Sequence, residues 1–432
     1  MNNILSKFAI LLIAVPLFTA SVVGQNSVYG ISTLSSTNSL IRSYGQKRDI
    51  IYNDNGVRSF LNVDFSTLNV INAVVPNLQS ISDMEIVNDM LYFCGVYFGV
   101  PVIGRFDIGN FFWGGGSVEI IPVTSIAYGS IVLKKLEVYY RSYNDIHVFV
   151  TAGISPGAPS VDYYAVLDAM YDGSGWDIEC ISDPNGDYVM SDLAITSSRL
   201  MVVGERSGHL GDYFNHYKLP ITPATHLSVA ASAPPIEMHG NASSVYRPLA
   251  QPITESLGND EFVTACYGIL NGDTGIVVIR TDEMVSNIKY WIFPNVTGST
   301  LFRDLKYEST SKKIFLVPDK NSSIVKDYMY EFDLINETAQ VFQSDLPYIC
   351  SVDERRPTSN VIVSGITQVG TVGLWQTAST DCRCDRSIDL MVNNSSDSDT
   401  PWYMNVSLFN DSVSTISITP IIYKIKLSPI CR

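Results

Sequence analysis

The chain has 432 residues, with 43 acidic side chains against 28 Lys and Arg and a formal net charge of −15. A net anion of that size repels nucleic acid and anionic membrane surfaces, which argues against both as partners. Only 16% of residues are charged, while Tyr (24), Phe (18) and Gly (29) abound. That composition suits strands and turns, since a helical protein of this length would carry more Glu, Lys, Ala and Leu.

In chain order, the first element is an expected secretory signal peptide over residues 1–24. Lys7 supplies the cationic end, Phe8–Val15 and Leu17–Phe18 the apolar core, and Val22-Val23-Gly24 the small residues before cleavage at Gln25. The apolar run is shorter than the roughly 20 residues a bilayer requires, and Pro16 interrupts it. No second long apolar run follows, so no transmembrane segment is expected after cleavage. The mature chain is expected to be exported, to the periplasm, the cell surface or the medium.

From residue 25 the sequence repeats itself. Met84–Val87, Met90–Gly95 and Val102–Ile108 read as three short strands separated by polar or glycine turns. The second strand, Leu91-Tyr-Phe-Cys-Gly95, has counterparts in His147-Val-Phe-Val-Thr-Ala-Gly153, Leu200-Met-Val-Val-Gly204, Phe262-Val-Thr-Ala-Cys-Tyr-Gly268 and Val361-Ile-Val-Ser-Gly365. The first strand recurs as Asp83-Met84, Asp192-Leu193 and Asp304-Leu305, with Lys135-Leu136 a looser copy. Fourth strands follow at Val70–Val75, Val118–Ile121, Trp176–Ile181, Ile288–Phe293 and Ala339–Phe342. Units of about fifty residues and four strands are the pattern of a propeller blade, which covers its faces by stacking on its neighbours. The expected fold is therefore all-β: a β-propeller over residues 25–380 with about seven four-stranded blades, or six if the N-terminal unit belongs to the last blade. Val28–Leu34 is the expected ring-closing strand, and no helix is expected in the mature chain.

Residues 381–432 change character. A polar loop, Asn393–Thr400, precedes the apolar stretches Trp402–Leu408 and Ile416–Leu427, giving a β-rich C-terminal segment that is packed on the propeller or supplies closing strands. Cys382 or Cys384 is expected to pair with Cys431 in an oxidising compartment. Cys94, Cys180, Cys266 and Cys350 occupy different strand registers and read as small buried hydrophobes.

The recurrence of Leu91-Tyr-Phe-Cys-Gly95 followed by Ile103-Gly-Arg-Phe-Asp107 resembles exported bacterial β-propeller-like proteins of unknown function. The resemblance spans most of the mature chain and implies a fold. It carries no catalytic residue across.

No motif for chemistry stands out. There is no Gly-x-Ser-x-Gly or Ser/His/Asp set in a usable context. Gly114-Gly-Gly116 opens no helix and is no phosphate cradle. His147, His209, His216, His226 and His239 lack ligand spacing and read as solvent-facing. Asp183, Asn185 and Asp187 offer oxygens at alternate positions, the one calcium candidate, but the glycine and the twelfth position of a calcium loop are misplaced. Asp172-Gly-Ser-Gly-Trp176 reads as a hairpin turn, and Asp353-Glu-Arg-Arg356 as a solvated turn. Trp113, beside the glycines, is the ligand-binding candidate because its loop context suggests exposure. No cofactor is expected. The sequence points to a non-catalytic, exported binding protein that meets a protein or glycan through loops on one face. Its alternatives are a glycoside hydrolase or polysaccharide lyase with acids at the tunnel mouth, and a structural component of a surface assembly.

Overall fold

The computed structural model describes residues 27–429 apart from stretches between strands, the longest being 156–162, 228–235, 239–245, 320–327, 379–386 and 394–404. The described strands form seven antiparallel sheets, here numbered I to VII in chain order. Their innermost strands are Asn38–Tyr44, Leu78–Val87, Ser130–Ser142, Tyr188–Ile195, Ile253–Gly258, Phe302–Glu308 and Tyr348–Arg355. Each touches the next, and the strand of sheet VII touches that of sheet I. The chain is thus an all-β propeller.

Alternation along each strand builds the ring. On Met90–Tyr97, Leu91 and Phe93 point into the apolar cluster shared with sheet I, and Tyr92 and Cys94 into the cluster shared with sheet III. One such cluster fills every gap around the ring, including the gap between VII and I, where Val372 and Leu374 meet Ile51 and Leu61. A strand buried on both faces needs an unbroken apolar run, which is why the second strands dominate the repeat. Cys94 faces sheet III whereas Cys266 faces sheet IV, so their even spacing is not a structural repeat. Cys94, Cys180, Cys266 and Cys350 are all buried.

Two further features frame the ring. Ser27–Ser35 pairs with Thr371–Ala378 as the fourth strand of sheet VII. Short strands between residues 387 and 429 then add an outer strand to sheets VI, V, III, II, I and VII in that order, running round the ring against the direction of the chain. One expectation is corrected: a short helix, Ile108–Phe112, follows the third strand of sheet II. Asp107 caps it, its Oδ1 accepting from the Asn110 amide at 2.7 Å.

Candidate functional site: a charged pocket on the ring axis

The innermost strands carry charge at alternate positions, and the alternation that buries their other face turns these groups toward the axis. They line a pocket of about 440 Å³, a size usual for small-ligand clefts. Asp83, Glu85, Glu137, Asp192, Glu255 and Asp304 face Arg42, Lys135 and Lys306 there, six carboxyls against three cations. Asp353 and Glu354 line a second cleft that shares Arg42, Glu85 and Lys306. The pocket reaches the strand ends at Ile195, Gly258 and Ser309, the side of the ring that carries the turns from first to second strands.

Three of the acids are joints of the ring. Strand register shifts between Ile81 and Asp83, between Met190 and Asp192, and between Phe302 and Asp304, so each aspartate sits at a bulge. One carboxylate oxygen accepts from the next amide on the same strand: Met84 at 2.9 Å, Leu193 at 2.9 Å and Leu305 at 3.2 Å. The other accepts from an amide of the following sheet: Leu136 at 3.1 Å, Thr254 at 2.9 Å and Val352 at 3.0 Å. The bulge frees backbone donors, and the carboxylate satisfies them on two sheets at once. The repeated glycine has its reason here. A Cβ on Gly95 would lie 2.1 Å from the Ser80 carbonyl oxygen, and one on Gly204 2.1 Å from that of Val189.

Around these joints the charges form two groups. In the first, Arg42 Nη2 lies 2.9 Å from Asp83 Oδ1, and Arg42 Nη1 lies 3.8 Å from Asp304 Oδ2. Lys135 acts electrostatically on Asp83, Asp192 and Asp304. Burial alone would lift Asp304, but Arg42 and Lys135 outweigh it and hold the carboxyl below its usual value. Burial raises Asp192 to about 7, because its one cation, Lys135, is shared with Asp83.

The second group lies further along the same strands. Lys306 Nζ is 3.0 Å from Glu255 Oε1 and 3.8 Å from Asp353 Oδ1. Asp353 accepts from the Ser43 amide at 2.5 Å and Glu85 from the Val138 amide at 2.6 Å. Lys306 is the ammonium of this group, facing Glu85, Glu137, Glu255 and Asp353. Burial pushes Glu85 up to about 8 despite Lys306. Glu137 stands well above the usual range, raised by burial and then by Glu85 and Glu255, and Glu255 is raised by burial too. The sequence reading of Asp353 and Glu354 as a solvated turn is therefore corrected. Both are buried in the strand Tyr348–Arg355, and Glu354 accepts from the amide and hydroxyl of Ser309 on sheet VI.

The histidines need the same correction. His147 is 0% exposed, and its Nδ1 lies 2.8 Å from Asp168 Oδ1. His226, from the loop after sheet IV's third strand, brings Nδ1 to 3.1 Å from Asp168 Oδ2 and Nε2 to 3.2 Å from Asp177 Oδ2. The Leu227 amide donates to Asp168 at 2.8 Å, so this cluster docks a sheet IV loop onto sheet III. Asp168 raises His226 to about 9 against the opposing effect of burial. His216 lies on the strand Asp212–Lys218, while His209 and His239 fall outside the described residues. Among the described residues, no group of three or more His, Cys, Asp or Glu is placed to hold a metal ion.

Trp113 is 69% exposed and follows the helix at the third-to-fourth connection of sheet II. Tyr143, 75% exposed, sits in the first turn of sheet III, on the same side of the ring. Asp172 caps the predicted hairpin turn, accepting from the Ser174 amide at 2.8 Å and the Gly175 amide at 3.1 Å. Asp183, Asn185, Asp187, Cys382, Cys384 and Cys431 lie outside the described residues. Sequence reasoning caught Asp83, Asp192 and Asp304 as repeats without giving them a role. It missed Glu85, Glu137, Glu255, Lys306 and Arg42. For Glu85, Glu137 and Lys306 the signal was the charged i, i+2 spacing of the first strands, Asp83-x-Glu85, Lys135-x-Glu137 and Asp304-x-Lys306, whereas Arg42 and Glu255 have no charged residue at that spacing.

No helix among the described residues is long and apolar enough to cross a membrane. No protein-family model matches the sequence, and no curated protein does. Among solved structures, the chain is similar to the β-propeller domain of Cps50 (Swd1) from Myceliophteria thermophila, with 8% identity and a TM-score of 0.39 over 81% of this chain and 100% of that one. The propeller architecture rests on strand pairing and on the closed cycle of inner strands, independently of this likeness.

Proposed function

We propose that this protein is an exported, non-catalytic propeller of seven blades that holds a basic group of a protein or glycan ligand in the pocket on its axis, with Trp113 and Tyr143 on the approach side. One observation carries the reading. Glu85, Glu137, Glu255 and Asp353 have Lys306 and Arg42 as their cations, and Arg42 is already engaged by Asp83 and Asp304, so a ligand amine entering there supplies missing positive charge. Binding then replaces protons held by the raised carboxyls with a cation, so it releases protons near neutral pH. The test is calorimetric titration with lysine peptides and amino sugars, each beside its N-acetylated form, in two buffers of different ionisation enthalpy. Amines are expected to bind with proton release and acetylated forms at least about tenfold more weakly, a difference of about 1.4 kcal/mol. Equal binding of both forms, or of neither, overturns the reading. Fractionation of the producing cell tests export.

A second reading, glycoside hydrolysis or polysaccharide lysis, is favoured by carboxyls whose surroundings drive them apart: Glu85 near 8 and Asp304 below its usual value. A neutral acid near an ionised partner is what protonation of a leaving oxygen requires. Release of reducing ends from a polysaccharide panel, lost in Glu85→Gln, supports it, and an inert panel removes it.

A further inference from the structure

The sequence holds 27 asparagines, 15 of them up to residue 240 and 12 beyond it. None of the first 15 has Ser or Thr two residues on, whereas 8 of the last 12 do, from Asn241 to Asn410. Ser and Thr fill 74 of 432 positions, so chance would put about two or three such acceptor motifs in each group. One of the eight, Asn336-Glu337-Thr338, ends the turn 334–337 between the third and fourth strands of sheet VI, Tyr328–Asp333 and Thr338–Gln343. Asn336 and Thr338 are both exposed, and Ile335 beside them is 68% exposed. The turn is held from beneath. Asp333 Oδ1 accepts from the Ile335 amide at 2.9 Å and the Asn336 amide at 2.8 Å, and the Leu334 amide donates to the Lys312 carbonyl at 3.1 Å. Asparagine often serves a turn by adopting a left-handed backbone, as Asn88 (φ 50°) and Asn259 (φ 51°) do. Here Glu337 takes that conformation (φ 55°), so the turn does not need Asn336 for it.

We propose that Asn336 is an N-glycosylation acceptor and carries an oligosaccharide on the outside of sheet VI. The inference rests on the export proposed above, because the transfer occurs in a secretory lumen. The donor is an oligosaccharide on a lipid-linked diphosphate. A bond forms between Asn336 Nδ2 and the first sugar carbon as that carbon's bond to the diphosphate oxygen breaks. The lipid diphosphate leaves with the oxygen, and the amide gives up one proton. Thr338 supplies the hydroxyl that the acceptor motif requires. The second hydrogen stays on Nδ2, so its bond to Asp333 Oδ2, 2.9 Å long, is kept after the transfer and fixes the first sugar on the turn. The folded turn holds the motif tightly, so the transfer is expected on the translocating chain, before Asp333 gathers these donors.

The experiment expresses the full chain in a glycosylating secretory host, once with its own residues 1–24 and once with a proven leader in their place. Trypsin releases residues 327–355, whose one asparagine is Asn336, so this peptide reports on one motif alone. Treating soluble protein with an N-glycosidase in heavy-oxygen water is expected to leave a labelled aspartate at position 336 in more than half of the peptide. Thr338→Ala is expected to abolish the label and Thr338→Ser to retain it, while the other seven motifs are unchanged. Label in less than half of the peptide from the second form overturns the proposal, and so does label that survives Thr338→Ala. If the first form stays in the cytosol and the second is labelled, export by residues 1–24 fails and the acceptor at Asn336 stands.

Discussion

Replacing Gly95 by alanine tests the joint at the centre of the ring. The new Cβ would stand 2.1 Å from the Ser80 oxygen and 3.0 Å from both Ser80 C and Ile81 Cα. All three are backbone atoms, so no side chain can swing away. Relief requires the paired strands to separate by about 1 Å, and overpacking of this kind costs about 1–3 kcal/mol. The same movement stretches the Leu136 amide bond to Asp83, now 3.1 Å, beyond hydrogen-bond range and strands a buried carboxylate oxygen, which adds about 1–3 kcal/mol. The expected total is about 2–6 kcal/mol, a large part of a typical folding stability of about 5–15 kcal/mol. Gly204→Ala, with its Cβ 2.1 Å from the Val189 oxygen, is expected to behave alike. Gly153→Ala is the control. It lies one residue beyond the register position of Gly95, which Ala152 fills in sheet III, where lysine replaces the bulge aspartate, and the nearest atom to its Cβ is Tyr164 Cε1 at 3.5 Å. That variant is expected within about 1 kcal/mol of the parent. Urea unfolding followed by circular dichroism measures all three, with soluble yield as a second readout. If Gly95→Ala and Gly153→Ala differ by less than about 1 kcal/mol, the joint does not hold the ring as described.

Three further outcomes follow from the same contacts. Glu85, Asp192 and His226 all have folded values raised above 4.5, 3.8 and 6.5, to about 8, 7 and 9. Their stabilisation is complete below the unfolded values and fades as pH rises through the folded ones, so thermal stability should fall from pH 5 to pH 9, by up to about 1.4 kcal/mol per pH unit for each extra proton held; a flat or rising melting temperature contradicts it. Asp168→Asn removes the buried carboxylate that His147 and His226 share, leaving them only Asp145 and Asp177, and is expected to cost about 3 kcal/mol in a denaturant titration, whereas a loss under about 1 kcal/mol would make the cluster incidental. A chain ending at residue 386 keeps its seven apolar clusters and bares the outer edges of six sheets, so it should fold cooperatively yet self-associate in light scattering; an unfolded chain or a clean monomer each refutes one half of that statement.

The fold was legible because its signal is repeated. Leu91–Gly95 and its copies announce strands buried on both faces, and a four-strand unit near fifty residues has few other homes. The site was harder to read, since each sheet contributes only one or two groups to the axis and the groups of different sheets are far apart in sequence. Glu85 and Glu255 lie on strands of sheets II and V, and only ring closure brings them to one ammonium. His147 was misread for a related reason. Its partner Asp168 is on the adjacent strand and His226 comes from another sheet's loop, so no local spacing reveals the cluster. Asp353 looked like a turn residue because it heads a run of four charges, yet strand alternation turns it to the axis beside Lys306.

The acids of the pocket can be sorted by what they hold. Asp83, Asp192, Asp304, Asp353 and Glu85 each bind an amide of the neighbouring sheet, so folding itself requires them. Glu137 binds no neighbouring main chain among the described residues, and the groups that raise it after burial are the acids Glu85 and Glu255. A carboxyl that its acidic neighbours oppose and that joins no neighbouring sheet suits the proposed role of meeting a ligand amine. Glu137→Gln keeps the shape and removes the repulsion. It is expected to raise stability at pH 8 by about 1 kcal/mol while weakening amine binding at least about tenfold. Asp304→Asn, which loses both Arg42 and the Val352 amide as partners of a full charge, is expected to lose stability. If Glu137→Gln is the less stable protein at pH 8, Glu137 belongs with the joints, and the pocket loses the carboxyl on which its ligand reading depends.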